Sequence, residues 1–339
     1  MKSWTPFVIR EEPTEAIVNL LKSVTLGTNG AKYRHLNTEE RLGQLIHPLY
    51  FTLERNERAL GNITICRRPC GWYVRYFAFD QLFQTKSSSA NSKGTGGLKK
   101  TIIDFFEAAE RGDLGDTPDL FYAYIDPSNQ RSHFMSKTFG FQTAAKIATQ
   151  TFSRITPKNS VRVRKIENRE ALRPIIKSCF STRPFFFDQH TFNSSFFYGL
   201  YEQEELIAFV KIHHAKWAID QLPGKHGKLL TKIVPYVPGL RKILHPASHQ
   251  FIVIDTVWSK TNDAKQLEEL MNALLFQEER NLIIWWVDQQ EDVYRDVKNK
   301  VHWGLLHQIN GVHEVDVVVR SKNNPDFSLP TYITGVDFI

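Results

Sequence analysis

Three consecutive pieces decide how this chain reads: the aromatic run Trp72-Tyr-Val-Arg-Tyr-Phe-Ala-Phe-Asp80, a polar stretch ending Asn91-Ser-Lys-Gly94-Thr-Gly96-Gly97, and the amphipathic Leu98 to Arg111. They predict strand, glycine loop and helix. Ile102, Phe105, Phe106 and Ala109 fall on one side of that helix. Glycines have no Cβ to keep backbone N–H groups from converging on an anion, and the following helix adds its positive end. Lys93 and the Lys99-Lys100 pair add charge. Such a loop suits a pyrophosphate, with a plain Ser/Gly linker as the competing reading. It is not a P-loop, since the four-residue spacer and the closing Lys-Ser/Thr are missing. Nor is it the dinucleotide fingerprint, since no third glycine stands at the required place.

Outward from this core, Phe7–Arg10 reads as a strand, Thr14–Leu26 as a helix, and a second helix opens at Asn37. Leu49–Arg55 and Ala59–Cys66 form a hairpin. Leu120–Ile125 is a buried strand, Ser128–Phe139 a short helix and Phe141–Ile155 mostly strand. The apolar pattern breaks around Thr156–Ser160, and the order of elements then recurs. It runs strand 161–164, helix 169–180, hairpin 197–213, strand 251–258, helix 263–280, strand 282–288, helix 293–309 and strand 312–320. The expected fold class is mixed α/β: two like domains, 1–155 and 160–339, each a mostly antiparallel mixed sheet flanked by helices. A single α+β domain with a long insertion from Lys216 to His249 is the other parse.

The first half resembles a GCN5-related N-acetyltransferase (GNAT) domain. Asn91-Ser-Lys-Gly94-Thr-Gly96 is similar to the family's Gln/Arg-x-x-Gly-x-Gly/Ala acyl-CoA loop, with Asn in the leading place. Asn129 to Gly140-Phe141 is similar to its Asn, short helix, Gly-Phe pattern, and the hairpin Phe51 to Gly61 to its hairpin glycine. The resemblance implies an acyl-CoA co-substrate, acetyl-CoA first. The amides of Gly94, Gly96 and Gly97 would hold the pyrophosphate, with Asn91, Lys93, Thr95 and Leu98 around them. The main chain at Phe77 and Phe79 would pair with the pantetheine arm like an added strand, and Asn129 would bond its amides. The family's frequent acid, a Tyr four residues before the Gly, is replaced here by Ser136.

Acyl transfer to an amine needs a base, a polarised carbonyl and a proton for the departing thiolate. Asp80 and Glu54 are the candidate bases, and Tyr124 or Tyr76 could stand in for the acid that Ser136 poorly supplies. The second half has no glycine loop at Trp258–Leu267, and Ala208 replaces the hairpin glycine, so no CoA site is expected there. The implied arrangement is a tandem GNAT with a degenerate second half that shapes the cleft for a small-molecule or peptide amine. Two alternatives stand beside it: an aminoacyl or peptidyl transferase fed by charged tRNA, and a CoA-binding regulatory protein without catalysis. A pocket lined by Phe185 to Phe187 is worth testing for the acceptor.

The 339 residues are 42% hydrophobic and 23% charged, with 24 Phe, which excludes a disordered, collagenous or disulfide-framework protein. The net charge of +7 is spread along the chain, so ordinary surface charge is its first reading and a nucleic-acid footprint the lesser one. Three cysteines, Cys66, Cys70 and Cys179, form no framework and fit no zinc spacing. His213, His214, His226, His245 and His249 likewise read as solvated or stacked rather than ligating, so no metal is expected. The first residues show no secretory signal, and Leu282–Val287 is far short of a membrane span. The cytoplasm, no membrane partner, and a monomer or homodimer are the expectations.

Overall fold

The structure, a computed structural model, describes residues 4–27, 31–80, 95–192, 196–222, 226–323 and 325–339, with Thr95, Gly96 and His190 described by backbone alone. In chain order the strands are β1 Phe7–Arg10, β2 Lys32–His35, β3 Pro48–Arg55, β4 Arg58–Arg68, β5 Gly71–Phe79, β6 Leu120–Ile125 and β7 Gln142–Ser153. There follow β8 Val163–Lys165, β9 Phe196–Glu202, β10 Glu205–Gln221, β11 His249–Ser259, β12 Leu282–Asp288 and β13 His313–Ser321. The helices that matter here are α1 Glu15–Ser23, α2 Thr38–Gly43, α3 Thr95–Glu110, α4 Gln130–Thr138, α5 Arg173–Phe180, α6 Ala264–Gln277, α7 Asp292–Val297 and α8 Leu305–Asn310.

All thirteen strands join one sheet, in the order β1-β3-β4-β5-β6-β13-β7-β12-β11-β10-β9-β8, with β2 added on β10. The order has a hidden symmetry. Read from either end, antiparallel strands lead to one parallel pair, β5 with β6 or β11 with β12, and then to one more antiparallel strand. That last strand is exchanged: β13 pairs with β6, and β7 pairs with β12. The two meet along Val315↔Ile147 and Val317↔Ala145, which fuses the halves. Where two separate sheets were expected, the mixed α/β class is as expected but the sheet is continuous.

One face of the first half carries α3 and α4 over Phe51, Val74, Phe121 and Phe141, and the matching face of the second carries α6 and α7 over Ile254, Ile283 and Val287. The opposite face is shared. There Tyr73, Tyr122 and Val317 from one half pack in the same cluster as Trp217, Phe251 and Trp286 from the other. The halves therefore share buried apolar surface as well as a sheet.

Most elements lie where periodicity places them, within a few residues. Three do not. The helix expected over 293–309 is two short ones, α7 and α8, separated by residues 298–304, the last of which, Gly304, has a φ of 95° that no helix tolerates. The second hairpin strand runs on to Gln221, inside the presumed insertion. β2 and the segment 331–339 were not foreseen at all.

Candidate active site

Two neighbouring parallel strands hold together for only two residues in the first half, Trp72↔Phe121 and Tyr73↔Tyr122. Beyond them β5 stays on β4 as far as Phe79↔Gly61, while β6 stays on β13. The sheet therefore opens into a groove walled by Val74–Phe79 and by Ala123–Ile125. Past Tyr73 the β6-facing edge of β5 has no strand partner among the described residues.

The hairpin glycine has a physical reason here. A Cβ on Gly61 would stand 2.3 Å from a Phe79 ring carbon, so glycine lets that ring lie across β4 at the groove's edge. Phe77 is exposed, with its ring 5.1 Å from Phe79 and 5.7 Å from Phe139. The Gly-Phe pattern also resolves into geometry. Gly140, at φ 81°, ends α4 with the left-handed turn that glycine favours, and Phe141 returns into the core 5.5 Å from Phe106.

α3 begins at Thr95 on the same face. Gly97 is exposed with open space where a side chain would be, Leu98 packs into the core cluster to which Phe79 also belongs, and Lys99 sits 5.4 Å from the Phe134 ring of α4. Asn91, Lys93 and Gly94 lie outside the described residues. Asn129 caps α4, its side-chain oxygen accepting from Ser132 N at 3.0 Å.

The candidate acid–base residues occupy different settings. Asp80 closes β5, its N–H donating to Leu60 O at 2.9 Å. Glu54 is held by both arms of Arg10, at 3.2 and 2.9 Å. The buried Ser136 hydroxyl donates to His133 O within its own helix at 2.9 Å. Tyr124 stands on β6 two residues beyond the last paired position. Its hydroxyl has no hydrogen-bond partner, and burial first, then Asp337, hold it neutral far above ordinary pH.

The second half has the corresponding opening, beyond Ile254↔Trp285, and it is filled. Residues 331–335 run through it. Thr331 donates to Asp288 from both its N–H and its hydroxyl, at 2.8 and 2.6 Å, and Gly335 N donates to Asp255 at 2.6 Å. The Tyr332 hydroxyl meets that of Thr256 at 2.6 Å. A buried cluster backs this plug: His213 Nε2 lies 2.9 Å and Lys211 Nζ 3.6 Å from the Asp255 carboxylate. Burial alone would raise the Asp255 pKa, but Lys211 and His213 hold it below the carboxylate range. His213 is thus neither solvated nor stacked, as its sequence context had suggested. It is half of a buried pair.

The same segment then crosses to the first half. Asp337 takes both arms of Arg68, at 2.5 and 2.9 Å, with the pair almost wholly buried. Phe338 is stacked between Tyr124, at 4.7 Å, and Trp286, at 4.4 Å. Phe185 is core rather than pocket wall, stacked on Tyr122 at 4.1 Å. Among the described residues no three His, Cys, Asp or Glu side chains converge on a metal-sized site, and no helix is long and apolar enough to cross a membrane.

Sequence reasoning missed Arg41, Arg75 and His35. Arg75, the first β5 side chain beyond the pairing on the shared face, donates to the main-chain oxygens of Val336 and Ile339. No spacing rule marks such residues, because their neighbours come from the other end of the chain.

No protein-family model and no curated protein matches this sequence. Solved structures match across nearly its whole length. A GCN5-related N-acetyltransferase from Sphaerobacter thermophilus aligns at TM-score 0.52 and 12% identity, over 96% of this chain and 98% of that one. Saccharomyces cerevisiae N-myristoyltransferase with bound myristoyl-CoA aligns at 0.55 and 8%, over 95% and 80%. A tandem GNAT protein from the clavulanic acid biosynthesis pathway aligns at 0.51 and 9%, over 94% and 100%. With two matching halves, each built around a parallel pair that splays, this chain has the fold of the GCN5-related N-acetyltransferases in its tandem form.

Proposed function

We propose that the chain is an acyl-CoA-dependent N-acyltransferase, acetyl-CoA being the first donor to test, with the donor on the first half and the amine acceptor on the face shared by both halves. One observation carries the reading: of two corresponding openings in the sheet, the second is filled by residues 331–335, and the first ends beside the start of α3. The stretch of β5 from Val74 to Phe77, which pairs with no strand on its β6 side among the described residues, would take a pantetheine arm as an added strand. The start of α3 would face the pyrophosphate with its positive end.

In the transfer, the amine nitrogen attacks the thioester carbon, the C–S bond breaks, and the thiolate takes a proton. Tyr124 is proposed as the donor of that proton, because its hydroxyl is kept neutral and has no other partner. Asp80, at the end of β5, is proposed to receive the proton the amine loses. Glu54 is paired with Arg10, away from β6, and the Ser136 hydroxyl donates within its own helix to His133 O. The test is free-thiol release from acetyl-CoA across a panel of amines, comparing the native chain with Gly97→Trp. A Cβ there meets no described atom within 4 Å, and the indole would stand where the pyrophosphate should lie. Amine-dependent thiol release that falls at least tenfold in the variant supports the reading, and equal release by both proteins overturns it.

A further inference from the structure

Arg41 is a buried arginine with no ion pair among the described residues. It is 8% exposed; its Nη1 donates to Gln44 Oε1 at 3.1 Å and its Nη2 to His214 O, while Nε has no partner. It lines a cleft of about 410 Å³ between α2 and β10, together with His213, Lys216, Arg280 and Val336. Glu40 is the lone carboxylate among the described lining residues. Its attraction for Arg41 is outweighed by burial, which lowers the Arg41 pKa.

Val336 links this cleft to a second cation, because its carbonyl accepts from Arg75 at 2.7 Å. Arg75 Nε is also buried and unpartnered, as are His35 Nε2 and the hydroxyls of Tyr50 and Tyr76. These groups are neighbours. The Arg75 guanidinium lies 5.1 Å from the Tyr76 ring, and burial together with Arg75 and Arg41 pushes the His35 pKa down to about 3. Buried guanidinium groups are ordinarily paired, and buried donors satisfied, since leaving them bare costs more than a hydrogen bond returns. Here two cations and three further polar groups share that deficit in one region.

We propose that the cleft between α2 and β10 binds an anionic group, a carboxylate or a phosphate, carried by the amine that accepts the acyl chain. Arg41 is its buried counter-charge, and Lys216 and Arg280 are the cations at the rim. A guanidinium suits both anions. The word acceptor rests on the acyltransferase reading, whereas the anion site does not.

The experiment is a thermal-shift titration of the full chain at constant ionic strength. The probes are sodium acetate, inorganic phosphate, and two matched pairs: glycine against glycinamide, and O-phosphoethanolamine against ethanolamine. The proteins are the native chain, Arg41→Gln and, in case that variant fails to fold, the rim variant Lys216→Ala. At least one anionic probe is expected to raise the melting temperature saturably where its neutral partner and sodium chloride do not. Its affinity should fall tenfold or more in Arg41→Gln and severalfold in Lys216→Ala. The carboxylate and phosphate arms show which anion is read. The inference is overturned if no anionic probe exceeds the chloride control, or if both variants bind as the native chain does. It is equally overturned if CoA abolishes phosphate binding that Arg41→Gln leaves intact, which would place the anion in the donor groove. CoA titrated separately keeps the two proposals apart: CoA binding without an anion effect removes only this inference, and the converse removes only the acyltransferase reading.

Discussion

Asp288, the last residue of β12, accepts both the N–H and the hydroxyl of Thr331, at 2.8 and 2.6 Å, with the carboxylate almost fully buried. This contact closes the second opening in the sheet with the chain's own backbone. Thr331→Val keeps the shape and removes one charge-assisted bond, so it should cost about 1.5–3 kcal/mol in urea unfolding. The closed half gains no cofactor site, so calorimetric titration of the variant with CoA should still give one equivalent per chain. Two equivalents would mean that the segment merely masks a second donor site.

Arg68 and Asp337 form a bidentate pair that is 2% and 1% exposed at the side chains. Removing one partner strands the other charge. Asp337→Asn should therefore destabilise by about 3–5 kcal/mol, and the double variant Arg68→Met, Asp337→Leu should recover much of that. Equilibrium denaturation of the three proteins decides it; a single variant as stable as the native chain would show that the segment is not anchored there.

Gly61 and Phe79 face each other across β4 and β5. Gly61→Ala drives a methyl into the ring and should cost about 1–3 kcal/mol, with a shift in the near-ultraviolet circular dichroism of the aromatic groove. Adding Phe79→Ala should relieve that clash, so the two substitutions should be strongly non-additive. Simple addition of their effects would place the ring elsewhere.

His249 is buried against Phe251, and burial lowers its pKa from 6.5 to about 4. The unfolded chain then takes up a proton first as the pH falls. Stability from this group is complete above about 6.5 and declines between there and about 4, by roughly 2 kcal/mol at pH 5. His249→Gln should flatten that part of the stability profile, measured as urea midpoints from pH 7.5 to 4.5. An unchanged slope would show that the imidazole titrates freely in the folded protein.

The sequence carried the groove strand, the helix after it and the succession of elements along each half, because those depend on local period and on glycines with local duties, as at Gly61 and Gly140. It did not carry the exchange of β7 and β13. Both are strands with exposed starts and buried middles or ends, and nothing in Val315–Val319 says which half will take it. The polar groups of the shared face were illegible for the same reason. Arg68, Arg75 and His213 look like ordinary strand residues until residues 331–339 are laid against them, 269 positions away for Arg68 and Asp337. His213 fits no metal spacing, and its partner, Asp255, sits on a neighbouring strand where no spacing rule reaches.

The most direct measurement is a crystal structure of the chain with CoA bound. The expected result is one molecule, its pantetheine lying between β5 and β6 beyond Tyr73 and Tyr122 and its pyrophosphate at the start of α3. CoA seated against β11 and β12, or a groove between β5 and β6 that stays empty while CoA binds elsewhere, would contradict it.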